Sequence, residues 1–125
     1  MAYNYGRNIG IAFQIMDDLL DFTASEDSLG KPIGADLSLG LATAPVLFAA
    51  QEFPELNDVI CRRFQCPGDV ETTWRLVMRS RGLQRTGELA RGYRDAAMDS
   101  IGGMRDSEYK EELTDIAHLV ISRES

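Results

Sequence analysis

The sequence predicts an all-α protein, and three observations support that class. Apolar residues recur at intervals of three and four in several segments, as in helices that bury one face. No segment alternates apolar and polar residues over the length of a strand. Glycine and proline fall mainly between the periodic segments, where they end or begin helices. We therefore expect helices joined by short loops.

The periodic segments predict the helices in order along the chain. They cover residues 3–22, 38–53 and 56–64, then a helix capped by Asp69 that contains Trp74, Val77 and Met78, then residues 83–101, and finally a helix that begins at Asp106 or Ser107. Residues 23–37 carry glycine and proline among polar residues and are expected to form a loop. Pro45 is expected to kink the second helix or to delay its start.

The last predicted helix has one apolar face. It is formed by Leu113, Ile116, Leu119 and Val120, which recur at helical spacing. His118 lies beside this face, and as the only histidine of the chain it is interpreted as a helix-face residue rather than a general base.

Composition and charge exclude several classes of protein. The chain has 13 Lys and Arg against 20 Asp and Glu, a net charge of −7, and no basic block that would track a nucleic-acid backbone. No apolar run approaches the roughly 20 residues of a membrane span. Cys61 and Cys66 lack the further Cys or His residues of a zinc site, so we expect free thiols.

An acidic cluster interrupts the apolar first helix in the sequence MDDLLDF. On a helix, Asp17, Asp18 and Asp21 share one side over a single turn, because positions three or four apart are about 40–60° apart in projection. Carboxylates this close repel one another unless they are solvated or bind cations. A set of oxygen ligands suits Mg²⁺, which keeps several waters and commonly shares its remaining positions with a substrate phosphate. Gln14 lies one turn earlier and can orient a carboxylate or a metal-bound water.

The same residues also fit a simpler interpretation, a solvated helix end that carries acidic side chains. Spacing alone does not decide between the two. An EF-hand fits worse, because counting from Asp17 puts Leu19 and Ser28 where oxygen ligands are required. Lys31 follows in the glycine-rich loop, where a flexible cation could reach a bound phosphate.

Two motifs in succession carry a resemblance to a known family. FQIMDDLLDF followed by GKPIGADLSLGLATAP resembles the second aspartate-rich motif and the succeeding GKxxxxD segment of all-trans polyprenyl diphosphate synthases. The downstream sequence is similar to the mitochondrial branch that makes the ubiquinone side chain, the solanesyl and decaprenyl diphosphate synthases. The resemblance extends over practically all 125 residues. It implies an isoprenoid-synthase-type helical bundle, of which residues 1–125 would be the C-terminal part.

The resemblance also implies roles for individual residues. Asp17, Asp18 and Asp21 would bind Mg²⁺, with Asp17 as the closest ligand. Lys31 would hold the diphosphate of the allylic substrate, while Phe13, Gln14 and Asp36 would line the substrate site; Asp17 and Lys31 are the expected catalytic residues. The implied reaction condenses isopentenyl diphosphate with an allylic diphosphate.

Two departures from the family pattern limit this expectation. Many relatives carry lysine where this chain has Leu41, so that lysine has no counterpart here. The first aspartate-rich motif of the family does not occur in these 125 residues. Catalysis by the chain alone is therefore not expected.

The sequence leaves three functions open: a prenyltransferase chain, a non-catalytic helical partner or regulatory subunit of a full-length synthase, and an acidic Mg²⁺-binding helical domain without prenyl chemistry. The resemblance further implies a homo- or hetero-oligomer with polyprenyl synthase subunits. It also implies a mitochondrial location, on the matrix side of the inner membrane, although this chain contains no recognisable targeting peptide.

Overall fold

A computed structural model describes residues 2–27, 37 and 39–122, with side chains described from residue 3 to 23 and again at 37 and 39–122. Within these ranges every regular element is a helix, which confirms the predicted all-α class. The helices are α1 (Ala2–Asp27), α2 (Ala44–Glu52), α3 (Leu56–Cys61), α4 (Asp69–Arg79), α5 (Gly82–Ser100) and α6 (Glu108–Ser122). None of them is long and apolar enough to cross a membrane.

The first helix extends further than its apolar pattern. It continues to Asp27, so the expected loop is wrong for residues 23–27, while residues 28–36 and 38 lie outside the described ranges. Polar residues disfavour a helix only slightly, and Gly30 is the first strong helix breaker in this region. Thr23 is accommodated because its hydroxyl donates to the carbonyl oxygen of Leu19 at 3.5 Å.

The second helix begins late. α2 starts at Ala44 with Pro45 in its first turn, which confirms the delayed start, whereas the prediction of a helix from residue 38 is wrong for residues 39–43. Proline is well suited to this position, because the first helical N–H groups have no intrahelical acceptor in any case. Gly40 forms the preceding turn with a φ of 81°, and its N–H donates to the carbonyl oxygen of Leu37 at 2.9 Å.

The third helix ends three residues earlier than predicted. Arg63 and Phe64 have φ values of 56° and 59°, in the left-handed region that costs non-glycine residues free energy. The backbone turns here while the Phe64 ring enters the core, where only 6% of the residue is exposed. Burial of this aromatic ring offsets the cost of the left-handed backbone.

The contacts divide the chain into two units, residues 1–17 with 87–125 and residues 18–86. In the first unit, Tyr5 packs against Ala97 and Ile101, and its hydroxyl donates to the carbonyl oxygen of Leu113 at 2.6 Å. This bond ties the first turns of α1 to α6.

The second unit contains a larger core. It is formed by Phe22, Leu37, Val46, Ala49, Ala50, Leu56, Val59, Phe64 and Val77. Trp74 packs against this core. Gly82 begins α5 in close contact with α2, since a Cβ at this position would lie 2.6 Å from the carbonyl oxygen of Pro45.

The apolar face predicted for the last helix is correct only in part. Ala117, Val120 and Ile121 are buried in α6, whereas Ile116 and Leu119 are exposed. The helix has two neighbouring apolar stripes, and periodicity alone does not indicate which one meets the core. His118 is exposed on the same helix, in agreement with its interpretation as a helix-face residue.

Candidate functional site

The predicted aspartates lie along the described part of α1. Asp17, Asp18 and Asp21 are all half-buried, with Phe13 and Gln14 exposed one turn before them. Asp17 and Asp21 are four residues apart, so their Cα atoms are separated by about 6 Å along the helix axis. Asp17 and Asp21 therefore lie on the same side of the helix, and Asp18 lies at the edge of that side.

Burial of the opposite face determines which side of α1 is accessible. Met16 and Phe22 are fully buried, and Leu19 is 4% exposed. These side chains alternate with the aspartates at helical spacing, so packing of the apolar side keeps the acidic side partly open to solvent. This combination makes α1 amphipathic at the acidic cluster.

The described residues do not form a complete metal cage. No group of three or more His, Cys, Asp or Glu side chains within them is arranged to hold a metal ion. Carboxylates that project from a single helix turn diverge, and a hexacoordinate Mg²⁺ needs ligands from more than one direction. The three carboxylates could therefore supply ligands from one direction only, and waters or phosphate oxygens would have to complete a metal site there.

Two of the predicted site residues lie outside the described ranges. These are Lys31 and Asp36, so their roles remain predictions without a geometry. Leu41, where the resemblance implies a lysine, is 45% exposed just before α2. An apolar side chain at this position provides no cation for a diphosphate.

Three arginines, Arg79, Arg81 and Arg85, lie close in sequence to Gly82, and one of them has a packing role. The Arg85 guanidinium lies over the Phe48 ring at 4.4 Å from its centroid and donates to the Gln51 side chain at 2.7 Å. Arg79 and Arg81 are exposed. Cys61 and Cys66 are free thiols, as predicted.

One feature near the aspartates is not indicated by the motif itself. Tyr3, Gly6, Gly10 and Phe13 are all exposed and lie within about 40° of Asp17 in helical projection. Among the described residues, no heavy atom lies within 4 Å of a Cβ built on either glycine. The spacing of these four residues, at intervals of three, four and three, can be read from the sequence. Their exposure can be established only from the structure.

Comparison with known proteins identifies the family of this chain. The polyprenyl synthetase family model matches residues 1–77. The chain is 49% identical over 124 residues to human all trans-polyprenyl-diphosphate synthase PDSS1, covering 99% of this chain and 30% of that protein. It is 48% identical over 122 residues to a probable mitochondrial hexaprenyl pyrophosphate synthase of Neurospora crassa, covering 98% of this chain and 27% of that protein.

A solved structure agrees with these matches. The fold is similar to the Caulobacter crescentus polyprenyl synthase complexed with calcium and isoprenyl diphosphate, with a TM-score of 0.79, 34% identity, and coverage of 98% of this chain and 39% of that chain. The chain thus spans about 30% of the length of the human relative. Its helices correspond to part of an isoprenoid synthase fold, and the chain belongs to the polyprenyl synthetase family.

Proposed function

We propose that this chain is part of an all-trans polyprenyl diphosphate synthase and that α1 binds the metal-bridged diphosphate of a prenyl substrate. The observation that carries the proposal is the partly open acidic side of α1, where Asp17 and Asp21 lie one turn apart after the exposed Phe13 and Gln14. The whole FQxxDDxxD motif thus lies on one continuous helix. A solvated acidic helix end would not require glutamine and phenylalanine at this spacing.

Asp17 and Asp21 would hold Mg²⁺ in this proposal, and Asp18 would support them directly or through a bound water. When bound, Mg²⁺ supplies Lewis acidity that neutralises charge on a diphosphate leaving group. The Caulobacter relative is complexed with calcium and isoprenyl diphosphate, which supports binding of a divalent cation together with a prenyl diphosphate. Calcium and magnesium both prefer carboxylate and phosphate oxygens.

The residues of this chain would position the leaving group rather than perform every step. Gln14 would orient a carboxylate or a water, Lys31 would pair with the diphosphate, and Asp36 would lie near the end of the same loop. Departure of diphosphate leaves an allylic cation, which the double bond of isopentenyl diphosphate attacks before a proton is lost. A second set of metal-binding carboxylates on the same diphosphate would come from the first aspartate-rich motif, which does not occur in these 125 residues.

The relatives also suggest where the chain acts. The Neurospora protein is named as mitochondrial, which supports a mitochondrial location for this chain. We infer the finer features from the resemblance: the matrix side of the inner membrane, synthesis of the ubiquinone side chain, and an oligomer with other synthase subunits. Residues 1–125 would then form one part of a larger synthase domain.

A non-catalytic helical partner of a full-length synthase is the second candidate. It is favoured by apolar side chains left exposed in both units, including Leu39 and Leu47 in one and Ile116 and Leu119 in the other. Exposed apolar surfaces of this kind commonly meet other polypeptide segments. Such a partner would bind a synthase subunit whether or not Mg²⁺ and a prenyl diphosphate are present.

Isothermal titration of the chain with farnesyl diphosphate in the presence of Mg²⁺ tests the first candidate. We expect binding that EDTA abolishes and that Asp17→Asn together with Asp21→Asn weakens at least about tenfold, since the remaining carboxylate cannot hold the cation alone. Asp99→Asn is the matched control, because Asp99 is an exposed helical aspartate of α5. Equal affinity of the double variant and wild type would contradict the metal assignment.

A further inference from the structure

We propose that the outer face of α6 is a docking surface for a basic amphipathic helix of another polypeptide. Tyr109, Ile116 and Leu119 form the apolar part of this surface, and their exposed fractions are 59%, 46% and 64%. Exposed apolar side chains that cluster on one helix commonly mark an interaction surface. The inference does not depend on the proposed function, because it uses none of the residues of the acidic side of α1.

The opposite side of α6 is packed within the first unit. Ala117, Val120 and Ile121 are buried. Leu113 packs against the cluster that contains Tyr5, and its carbonyl oxygen accepts the Tyr5 hydroxyl at 2.6 Å. These contacts determine which side of α6 faces outward, so the docking surface lies on a helix that is already held in place.

Carboxylates accompany the apolar residues on this outer side. Glu108, Glu112 and Asp115 are exposed, and they lie within about 120° of one another and of the three apolar residues in helical projection. Lys110 is the only lysine or arginine within α6. It lies about 160° away from Glu112 in projection and pairs with the Asp106 carboxylate at 3.3 Å. The docking surface is therefore both apolar and negatively charged.

This combination indicates the chemistry of the partner. The apolar residues extend from Tyr109 to Leu119, about 15 Å or three turns along α6, a length that an amphipathic helix covers with side chains at intervals of three and four. Lysine or arginine beside those side chains would complement the carboxylates and select this partner over an acidic one.

A second copy of this chain fits the surface less well. In a two-fold dimer through α6, each copy would place the same carboxylates opposite those of the other copy. The chain also carries a net charge of −7, which opposes its self-association. Charge complementarity therefore favours a different, basic polypeptide.

A surface cavity beside the docking surface provides a place for a basic side chain. Its volume is about 390 Å³, and it is lined by Asp106, Ser107, Lys110, Glu111, Thr114 and Asp115. Three of these residues are carboxylates and one is a lysine, so the lining is negative. Asp115 belongs to both the cavity and the docking surface, and an arginine of a helix bound there would pair with it.

Fluorescence anisotropy with two labelled synthetic peptides tests the proposal. Both peptides have about 18 residues, enough for roughly five helical turns, with leucines at intervals of three and four. One carries lysine at its other positions and the second carries glutamate. We expect the chain to bind the lysine peptide but not the glutamate peptide. Raising the NaCl concentration from about 50 mM to about 500 mM should weaken that binding at least tenfold, because salt screens exposed charges.

Removal of the apolar contacts is expected to weaken binding of the lysine peptide. Ile116→Ala together with Leu119→Ala should raise its dissociation constant at least about tenfold. Leu39→Ala together with Leu47→Ala is the matched control, because both leucines are exposed in the second unit. This control should bind the peptide as wild type does.

Removal of the charges is expected to have a smaller effect. Glu112→Gln together with Asp115→Asn should raise the dissociation constant about fivefold and reduce its dependence on salt. Glu71→Gln together with Asp99→Asn removes the same charge from exposed positions of α4 and α5, and it should leave binding unchanged. Thermal unfolding midpoints close to that of wild type would verify that each variant is folded.

Three results would overturn the proposal. The first is failure of wild type to bind the lysine peptide, or equal binding by wild type and the Ile116 and Leu119 variant. The second is equal binding of both peptides, which would indicate an apolar surface without charge selectivity, such as one that packs against further parts of a synthase domain. The third is a wild-type dimer in analytical ultracentrifugation that becomes a monomer in the same variant, since a second copy would then occupy the surface.

Discussion

The Arg62 guanidinium binds the Asp69 carboxylate at two points across the turn between α3 and α4. Its Nε donates to Oδ2 and its Nη2 to Oδ1, both at 2.8 Å, and the N–H of Cys66 donates to the same Oδ2 at 3.0 Å. The turn contains the left-handed residues Arg63 and Phe64. Bidentate charge-assisted hydrogen bonds are stronger than neutral ones, so this pair helps to keep a strained turn closed.

We expect Asp69→Asn to destabilise the chain near neutral pH. The hydrogen bond from Arg62 holds the pKa of Asp69 below its ordinary value, despite burial, which acts in the opposite direction. Stability from the pair is thus fully present above the ordinary aspartate pKa of about 3.9, and it is lost as pH falls through the lower pKa of the folded state. Urea unfolding at a series of pH values would measure the difference between the variant and wild type.

That difference should be largest at pH 5–7 and should shrink as pH falls below about 4, because the Asp69 carboxylate of the unfolded state then takes up a proton while that of the folded state is still ionised. It should be smallest below the pKa of the folded state, where both proteins have a neutral side chain at position 69. Asp99→Asn, at an exposed position, is the control for loss of one negative charge. A difference that stays constant from pH 7 to pH 2 would show that the ionised pair does not stabilise the turn.

Gly82→Ala is expected to reduce the free energy of unfolding by about 1–3 kcal/mol. The new Cβ would lie 2.6 Å from the Pro45 carbonyl oxygen and 2.9 Å from the Ser80 Oγ, so α2 and the start of α5 must move apart. Gly92→Ala serves as the control and should stabilise the chain slightly, because no atom of residues 2–27, 37 and 39–122 lies within 4 Å of its Cβ position. Urea midpoints that move in the same direction for both variants would argue against a close contact at Gly82.

Tyr5→Phe is expected to lower the free energy of unfolding by about 1 kcal/mol. The substitution removes the hydroxyl that donates to the Leu113 carbonyl oxygen at 2.6 Å, while the ring can stay in its buried position at 7% exposure. Tyr3→Phe is the matched control, since Tyr3 is 78% exposed on the same helix. Thermal unfolding of the two variants would compare them directly, and equal midpoints would contradict a stabilising role of the hydrogen bond.

Mg²⁺ alone is expected to stabilise the chain only weakly, whereas Mg²⁺ with pyrophosphate should raise the melting temperature. The described residues offer no group of three acidic or His/Cys side chains for a bare ion, but phosphate oxygens can supply the missing ligands. At a ligand concentration of 100 times its dissociation constant, binding stabilises the folded state by about 2.7 kcal/mol. An equal rise in melting temperature with Mg²⁺ alone would indicate a complete cation site. It would contradict the interpretation that the aspartates provide only part of the metal ligands.

The candidate site was largely readable from local spacing. Residues spaced like Gln14, Asp17 and Asp21 lie on one side of a helix. The spacing of the motif was therefore enough to predict how these residues are arranged along α1. Lys31 and Asp36 follow in a segment rich in glycine and proline, where spacing implies no such arrangement, and their roles remain predictions. The exposure of Gly6 and Gly10 in the described part of the chain was not predictable, because exposure depends on what the rest of the fold leaves uncovered.

Some features of the fold are likewise determined by local interactions and others by long-range contacts. Helix periodicity by itself determined the all-α class, the order of the helices and the acidic side of α1, because these depend on neighbours within a turn or two. Only the tertiary structure decided that α3 stops before Arg63, that Ala117 rather than Ile116 faces the core, and that Gly82 lies against Pro45. These outcomes depend on contacts between residues distant in sequence, which local propensity does not contain and which override it when they bury enough apolar surface.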